Sequence, residues 1–227
     1  MLLKSTLFFI VLFVAFMPSK AQNKPTVDSS YENGHYKQRV RFFRQMPDEK
    51  REIIFLGNSI TEAGEWQELI PGKAVKNRGI SGDVTYGVLA RLDEALDSKP
   101  AKLFLLIGVN DLKRGIPVDR VAQNYQRIVE RIKAGSPKTK LYIQSLLPVN
   151  EKMLSESYKK VTNERIAALN ERLVQLADHY QCAYINVHSV MTDEQGQLAK
   201  ELTPDGIHLW PSSYIRWVNY LKDKKYL

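Results

Sequence analysis

The residues of this chain whose types could do chemistry fall in four short segments. Gly57-Asn58-Ser59-Ile60-Thr61 presents a hydroxyl behind a glycine, and Asn77-Arg78-Gly79-Ile80-Ser81-Gly82-Asp83 presents glycine amides. Gly108-Val109-Asn110-Asp111 offers a side-chain amide, and Asp205-Gly206-Ile207-His208-Leu209 places a carboxylate three residues before an imidazole. Taken singly, each has a structural explanation. A serine or asparagine after a glycine caps a helix, and Asp-Gly and Asn-Asp pairs suit turns. Together they supply a nucleophile, a base, a partner for the base and donors for a developing negative charge. Those are the components of acyl transfer. They can act together only if the fold brings them to one place.

The elements that must do so are legible in the hydrophobic pattern. Apolar runs at 53–56, 103–107, 141–143 and 183–187 lack alternation, as expected of strands buried on both faces. A weaker run at 74–77 reads as an edge strand. Helices are expected at 34–45, 85–96, around Val118 to Ile132, around Ile166 to Tyr180, and from Pro211 onward. Strands alternating with helices predict an α/β fold, a three-layer α/β/α sandwich around a five-stranded parallel sheet. In such sheets ligands sit beyond the carboxyl ends of the strands. Three of the four segments directly follow a predicted strand. Residues 22–32 read as polar and loose.

At these residues the chain resembles the SGNH (GDSL-like) hydrolases, over about residues 50–220. The four residues that name the family match Ser59, Gly79, Asn110 and His208, and the closing Asp-x-x-His block matches Asp205 to His208. The wording of the first two blocks is similar to the branch that holds carbohydrate O-acetylesterases and relatives of platelet-activating-factor acetylhydrolases. One departure is Asn58, where the motif has Asp; that position is not a triad member. The resemblance implies a flavodoxin-like sheet and a serine esterase. Ser59 would be the nucleophile, His208 the general base and Asp205 the residue that fixes the imidazole's tautomer. It assigns the oxyanion hole to the backbone N–H groups of Ser59 and Gly79 and the side-chain amide of Asn110, the glycine leaving room for close approach of substrate. The Gly-x-Ser-x-Gly elbow of α/β-hydrolases is absent from the sequence.

The favoured substrate is therefore an acetyl or other short-chain O-ester, on a carbohydrate or a small molecule. A lysophospholipase or lipid acyl hydrolase is the rival activity, and it would want an apolar lid; the candidate insertion from Asn150 to Tyr158 is polar. A non-catalytic carbohydrate-binding protein on the same fold is the rival of another class. No cofactor is expected: both the dinucleotide glycine pattern and the P-loop are missing. Nor is a metal, because His35, His179 and His188 share no ligand spacing with the carboxylates. Asp83 and Asp111 are expected to cap helices or hold loops, Trp66 to lie in the core, and Trp210 to border the site.

Composition sets the remaining bounds. With 227 residues and 44% apolar content, the chain can bury about 70% of its unfolded surface without staples. Residues 1–21 have a basic start, an apolar run from Thr6 to Met17 and small residues before Ala21. This pattern predicts a signal peptide cut after Ala21, export to the periplasm or beyond, and no stable membrane anchor, since the run is too short to span. The mature part, 22–227, reads as a single domain of that hydrolase type. Loss of Lys4 and Lys20 takes the net charge from +8 to +6. The basic residues are scattered and not interleaved with stacking aromatics, so no nucleic-acid partner is expected. Cys182, the single cysteine, reads as a structural thiol.

Overall fold

A computed structural model describes residues 29–227; the expected signal peptide, 1–21, lies outside the described residues. The elements in chain order are α1 (Gly34–Gln45), β1 (Ile53–Gly57), α2 (Ser59–Glu62), α3 (Trp66–Leu69), β2 (Val75–Gly79), α4 (Thr85–Leu96), β3 (Lys102–Leu106), α5 (Val109–Lys113), α6 (Val118–Gly135), β4 (Lys140–Gln144), α7 (Asn163–His179), β5 (Ala183–Ile185) and α8 (Pro211–Asp223). Three single turns of 3₁₀ helix lie in the loops.

All five strands are parallel, in the order β2-β1-β3-β4-β5, so β2 is an edge as its weak apolar run predicts. The chain leaves β1 first toward one edge and then returns to start β3 on its other side. That reversal opens a crevice beyond the carboxyl ends of β1 and β3. Every side chain of β1 is buried, which explains why its sequence, Ile-Ile-Phe-Leu, shows no polar alternation.

One face of the sheet is aromatic. Trp66 of α3 stacks on Phe55 at 4.0 Å, Phe55 on Phe104 at 4.8 Å, and Phe104 on Tyr142 at 4.6 Å, along residues that pair across β1, β3 and β4. Trp217 of α8 meets Trp66 edge-on and donates its indole N–H to Gln144. Helices α4, α6 and α7 pack side by side over the other face. The result is the expected three-layer sandwich.

Local signals set the helix ends. Asn33 caps α1 by accepting from Tyr36 N, Thr162 caps α7 by accepting from Arg165 N, and Pro211 opens α8. Helix α4 has no cap of its own; the buried carboxylate of Asp111, from α5, accepts from Thr85 N instead. Residues 29–33 differ from the loose segment expected there. Tyr31 is buried, and with Tyr36 and Phe43 it forms a second apolar cluster against Ile80, Val84 and Tyr86.

Candidate active site

Beyond the carboxyl end of β1 the chain turns at once into α2. Asn58 is buried, and its Oδ1 caps the helix by accepting from Ile60 N at 3.0 Å. The cap is spent on Ile60, so the N–H of Ser59 has no partner among the described residues. Ser59 itself is half-buried, with its hydroxyl at the helix N-terminus.

The loop before α8 brings His208 to this hydroxyl. Ser59 Oγ lies 3.2 Å from His208 Nε2, and His208 Nδ1 lies 2.6 Å from Asp205 Oδ2, although Ser59 and His208 are 149 residues apart. The other oxygen of Asp205 accepts from the backbone N–H of Ile207 at 3.0 Å and of His208 at 2.8 Å. Burial pushes this carboxyl up, but the bonds from the His208 ring and the two N–H groups outweigh it and hold Asp205 below the usual carboxylate range. It is ionised at neutral pH and favours the tautomer that leaves Nε2 free to accept. Both side chains remain accessible, His208 at 36% and Asp205 at 48%, so the site is open to a bulky substrate.

Asn110 enters from α5 at the end of β3. It is buried, and one N–H of its amide donates to Asp83 O at 2.9 Å, which orients the group and leaves the second N–H to point elsewhere. Asp83 follows Gly82. That glycine sits at φ +80°, a left-handed conformation that favours glycine, with nothing within 4 Å of where a Cβ would stand. The N–H of Gly82 has no partner among the described residues, and its carbonyl accepts from Arg114.

Gly79 does not join this group. Its N–H donates to Asn77 Oδ1 at 2.9 Å, while the Asn77 amide donates to Glu62 O and Gly64 O. A Cβ at Gly79 would come 2.1 Å from Glu62 N. This glycine therefore permits β2 to close onto α2, and the expectation that its amide would meet an oxyanion is corrected: the donor is already engaged. The free amide three residues later belongs to Gly82, in the same sequence block.

Two buried charged residues tie these loops together, as the structural reading of Asp83 and Asp111 required. Asp83 accepts from Arg91 at 2.9 Å, and Arg91 Nη2 also donates to Gly57 O at 3.0 Å, one residue before Asn58. Asp111 is pushed up to about 7 by burial, with the Asp83 charge adding to the rise and hydrogen bonds from Thr85 opposing it. The insertion at 150–158 braces the His208 loop from below, Asn150 N donating to Gly206 O at 2.8 Å. Tyr158 meets the His208 ring edge-on at 6.5 Å, and Lys113 Nζ stands 3.8 Å over Tyr158. Trp66 is fully buried and Trp210 is 48% exposed at the start of α8. The Cys182 thiol is half-buried, and burial pushes its pKa up, against reactivity. Among the described residues no group of three or more His, Cys, Asp or Glu is placed to hold a metal ion.

Comparison with known proteins agrees with this architecture. Residues 55–214 match the GDSL-like Lipase/Acylhydrolase family. The human platelet-activating factor acetylhydrolase IB subunit alpha2 is 31% identical over 121 residues, 51% of this chain and 52% of that one. The chain thus spans about half the length of that curated relative. A solved Streptococcus pneumonia protein, provisionally described as a platelet activating factor, is 33% identical, with a TM-score of 0.78 over 84% of this chain and 92% of that one. The acetyl xylan esterase AlAXEase shares the fold at 20% identity, TM-score 0.64, over 76% of this chain and 98% of that one. With the family match running from β1 into α8, the chain belongs to the GDSL-like lipase/acylhydrolase family.

Proposed function

We propose that this protein is a serine esterase that removes acetyl or similarly short acyl groups from oxygen, with acetylated carbohydrate as its substrate. The observation that carries the reading is the hydrogen-bonded series from Ser59 Oγ through the His208 ring to Asp205, at 3.2 and 2.6 Å. His208 Nε2 takes the hydroxyl proton as Ser59 Oγ attacks the ester carbonyl. The carbonyl oxygen becomes an alkoxide facing the N–H groups of Ser59 and Gly82 and the free N–H of Asn110. As the C–O bond to the leaving alcohol breaks, His208 returns the proton to that alcohol. Water then repeats the sequence on the acyl-serine and releases the acid.

Three features support the substrate class. Related chains include one named for acetyl hydrolysis. The insertion beside His208 is polar, with exposed Glu151, Lys152, Ser155, Glu156 and Ser157, so no apolar lid for a long chain stands there. The accessible His208 and Asp205 suit an ester carried on a large, hydrated alcohol. Export of the mature chain after Ala21 would bring it to such material.

The test is to assay the purified protein on acetylated xylan, pectin and sialic acid, and on p-nitrophenyl esters of rising chain length, beside Ser59→Ala. Acetate release by the wild type, falling with acyl length and absent in the variant, is the expected result. A variant as active as wild type removes Ser59 from the mechanism. A folded wild type inert on every ester would point to a binding protein.

A further inference from the structure

Glu62 ends the short helix that begins at Ser59, and its carboxylate is a junction. Oε2 accepts from Ser81 N at 2.6 Å and also from Ser81 Oγ. His35 Nε2 lies between the two oxygens, 3.1 Å from Oε1 and 3.2 Å from Oε2. Arg39 Nε stands 3.1 Å from Oε1, as an ion pair whose N–H is not aligned for a hydrogen bond. His35 and Arg39 belong to α1, which precedes the segment that matches the family. Ser81 directly precedes Gly82.

We propose that Glu62 is a positioning residue of the oxyanion site, locking the turn from Ile80 to Asp83 onto the helix that starts at the nucleophile, with α1 as the outer wall of that lock. The proposal rests on the reading above, in which Ser59 and Gly82 N–H share the oxyanion. Those two donors come from different loops, and an oxyanion needs both within about 0.2 Å of their best distance. Neither loop is held to the other by sequence. Ile80 N and Arg91 tie the two ends of the turn to Gly57, and Glu62 supplies the link nearest the donor: it is covalently part of the Ser59 helix and hydrogen-bonded at two points to the residue before Gly82.

The charge pattern fits this role. Bonds to an ionised carboxylate are shorter and stronger than neutral ones. Burial pushes the Glu62 carboxyl up, yet the bonds from Ser81 and His35 prevail and hold it below its ordinary range. Arg39 stands at Oε1, the His35 ring reaches both oxygens, and Ser81 takes Oε2 from the other side. Helix α1 is anchored independently: Tyr36 OH donates to Gly87 O at 2.8 Å, and Tyr31, Tyr36 and Phe43 pack on Ile80, Val84 and Tyr86. The wall therefore clasps the turn at Ile80 and, through Glu62, at Ser81.

The experiment compares Glu62→Ala, Glu62→Gln and Ser81→Ala with wild type on p-nitrophenyl acetate, alongside melting temperature and the rate at which a fluorophosphonate labels Ser59. Labelling develops charge on a phosphoryl oxygen in the same donors. Glu62→Ala should lower kcat about 10- to 100-fold with KM within about twofold, and labelling should slow in parallel, since small misplacement of reacting groups is enough to cost two decades. Glu62→Gln keeps an oxygen that can accept from Ser81, and should restore most of kcat. The proposal is overturned by a Glu62→Ala enzyme with unchanged kcat, by a loss confined to KM or to the folded fraction, or by a glutamine variant no better than alanine. Should the alanine variant fail to fold, Ser81→Ala decides: about a threefold or larger fall in kcat at constant KM is expected, and an unchanged kcat overturns the idea. An active Glu62→Ala beside an inactive Ser59→Ala sinks this proposal alone, whereas an active Ser59→Ala sinks the esterase reading itself.

Discussion

Asp205 does two jobs with its two oxygens, and a substitution can separate them. Oδ2 receives the His208 ring while Oδ1 receives the backbone of Ile207 and His208. Asp205→Asn keeps an oxygen for the backbone but can turn its NH₂ toward Nδ1, favouring the tautomer whose Nε2 is already protonated. In the serine-protease precedent that costs up to ~10⁴ in kcat; with this pair half-open to water, a smaller loss of about 10²–10³ is expected, at unchanged melting temperature. A variant within twofold of wild type would reduce Asp205 to a turn residue. Asn110 offers a complementary test. Asn110→Ala should lower kcat by roughly 10²–10³ with little change in KM, because its bond strengthens only as the oxyanion forms. Asn110→Asp should be at least as damaging, placing a carboxylate against both Asp83 O and the developing charge. Kinetics that tolerate aspartate would return Asn110 to a purely structural role.

The elements carry these residues by glycines and buried charges that differ in purpose. Gly79 and Gly82 stand in one block, yet their variants should fail differently. Gly79→Ala drives a methyl into the backbone of Glu62, with no flexible side chain to yield, so loss of folded protein is expected. Gly82→Ala meets open space but keeps a left-handed φ that costs about 1–2 kcal/mol. That variant should fold and lose far more in kcat than in stability. Equal losses of stability in both would contradict the assignment. Arg91 is the second device at this scale. It joins Asp83 to the carbonyl of Gly57, and so joins the turn from Ile80 to Asp83 to the strand that precedes Ser59. Arg91→Met strands a buried carboxylate, for which a loss of about 3–5 kcal/mol is expected in urea unfolding at neutral pH. The loss should shrink in acid, where Asp83, already pushed up by burial, takes a proton.

Over the whole molecule, the buried Asp111 makes stability depend on pH in an unusual direction. Its folded value is raised to about 7 from an ordinary 3.8. Below the ordinary value both states hold the proton. Between the two values the folded state keeps it while the unfolded chain releases it, so stability falls as pH rises and levels off above about 7. Asp111→Asn keeps an acceptor for Thr85 and removes the titration. In urea unfolding, the advantage of wild type over the variant should therefore decline by a few kcal/mol between about pH 4 and 7.5, with a slope of about 1.4 kcal/mol for each step of one in pH. Parallel curves would mean that Asp111 is ionised throughout. The same aspartate holds the first N–H of α4, so its protonation state bears on the helix that follows the turn from Ile80 to Asp83.

Much of this was legible in the sequence because it depends on residue type and spacing. Unbroken apolar runs mark strands buried on both faces, and a 3–4 spacing marks the long helices, so the sheet, its weak edge and five helices are readable without coordinates. The hydroxyl, imidazole, carboxylate and amide are readable too, because the short segments that carry them follow strands or keep the Asp-x-x-His spacing. Helices α2, α3 and α5 are not, being four or five residues long and too short to show a period. Tertiary structure alone decided which glycine amide is free. Gly79 and Gly82 are the same residue type in the same block; the hold of Glu62 O and Gly64 O on the Asn77 amide turns its Oδ1 onto the Gly79 N–H two residues later, while the turn leaves the second open. It also decided that Tyr31 is buried and that Glu62 reaches Ser81, His35 and Arg39. A backbone donor's availability and a carboxylate's partners are set by what lies within about 3 Å in space, and that distance is fixed by chain closure between segments that share no local pattern.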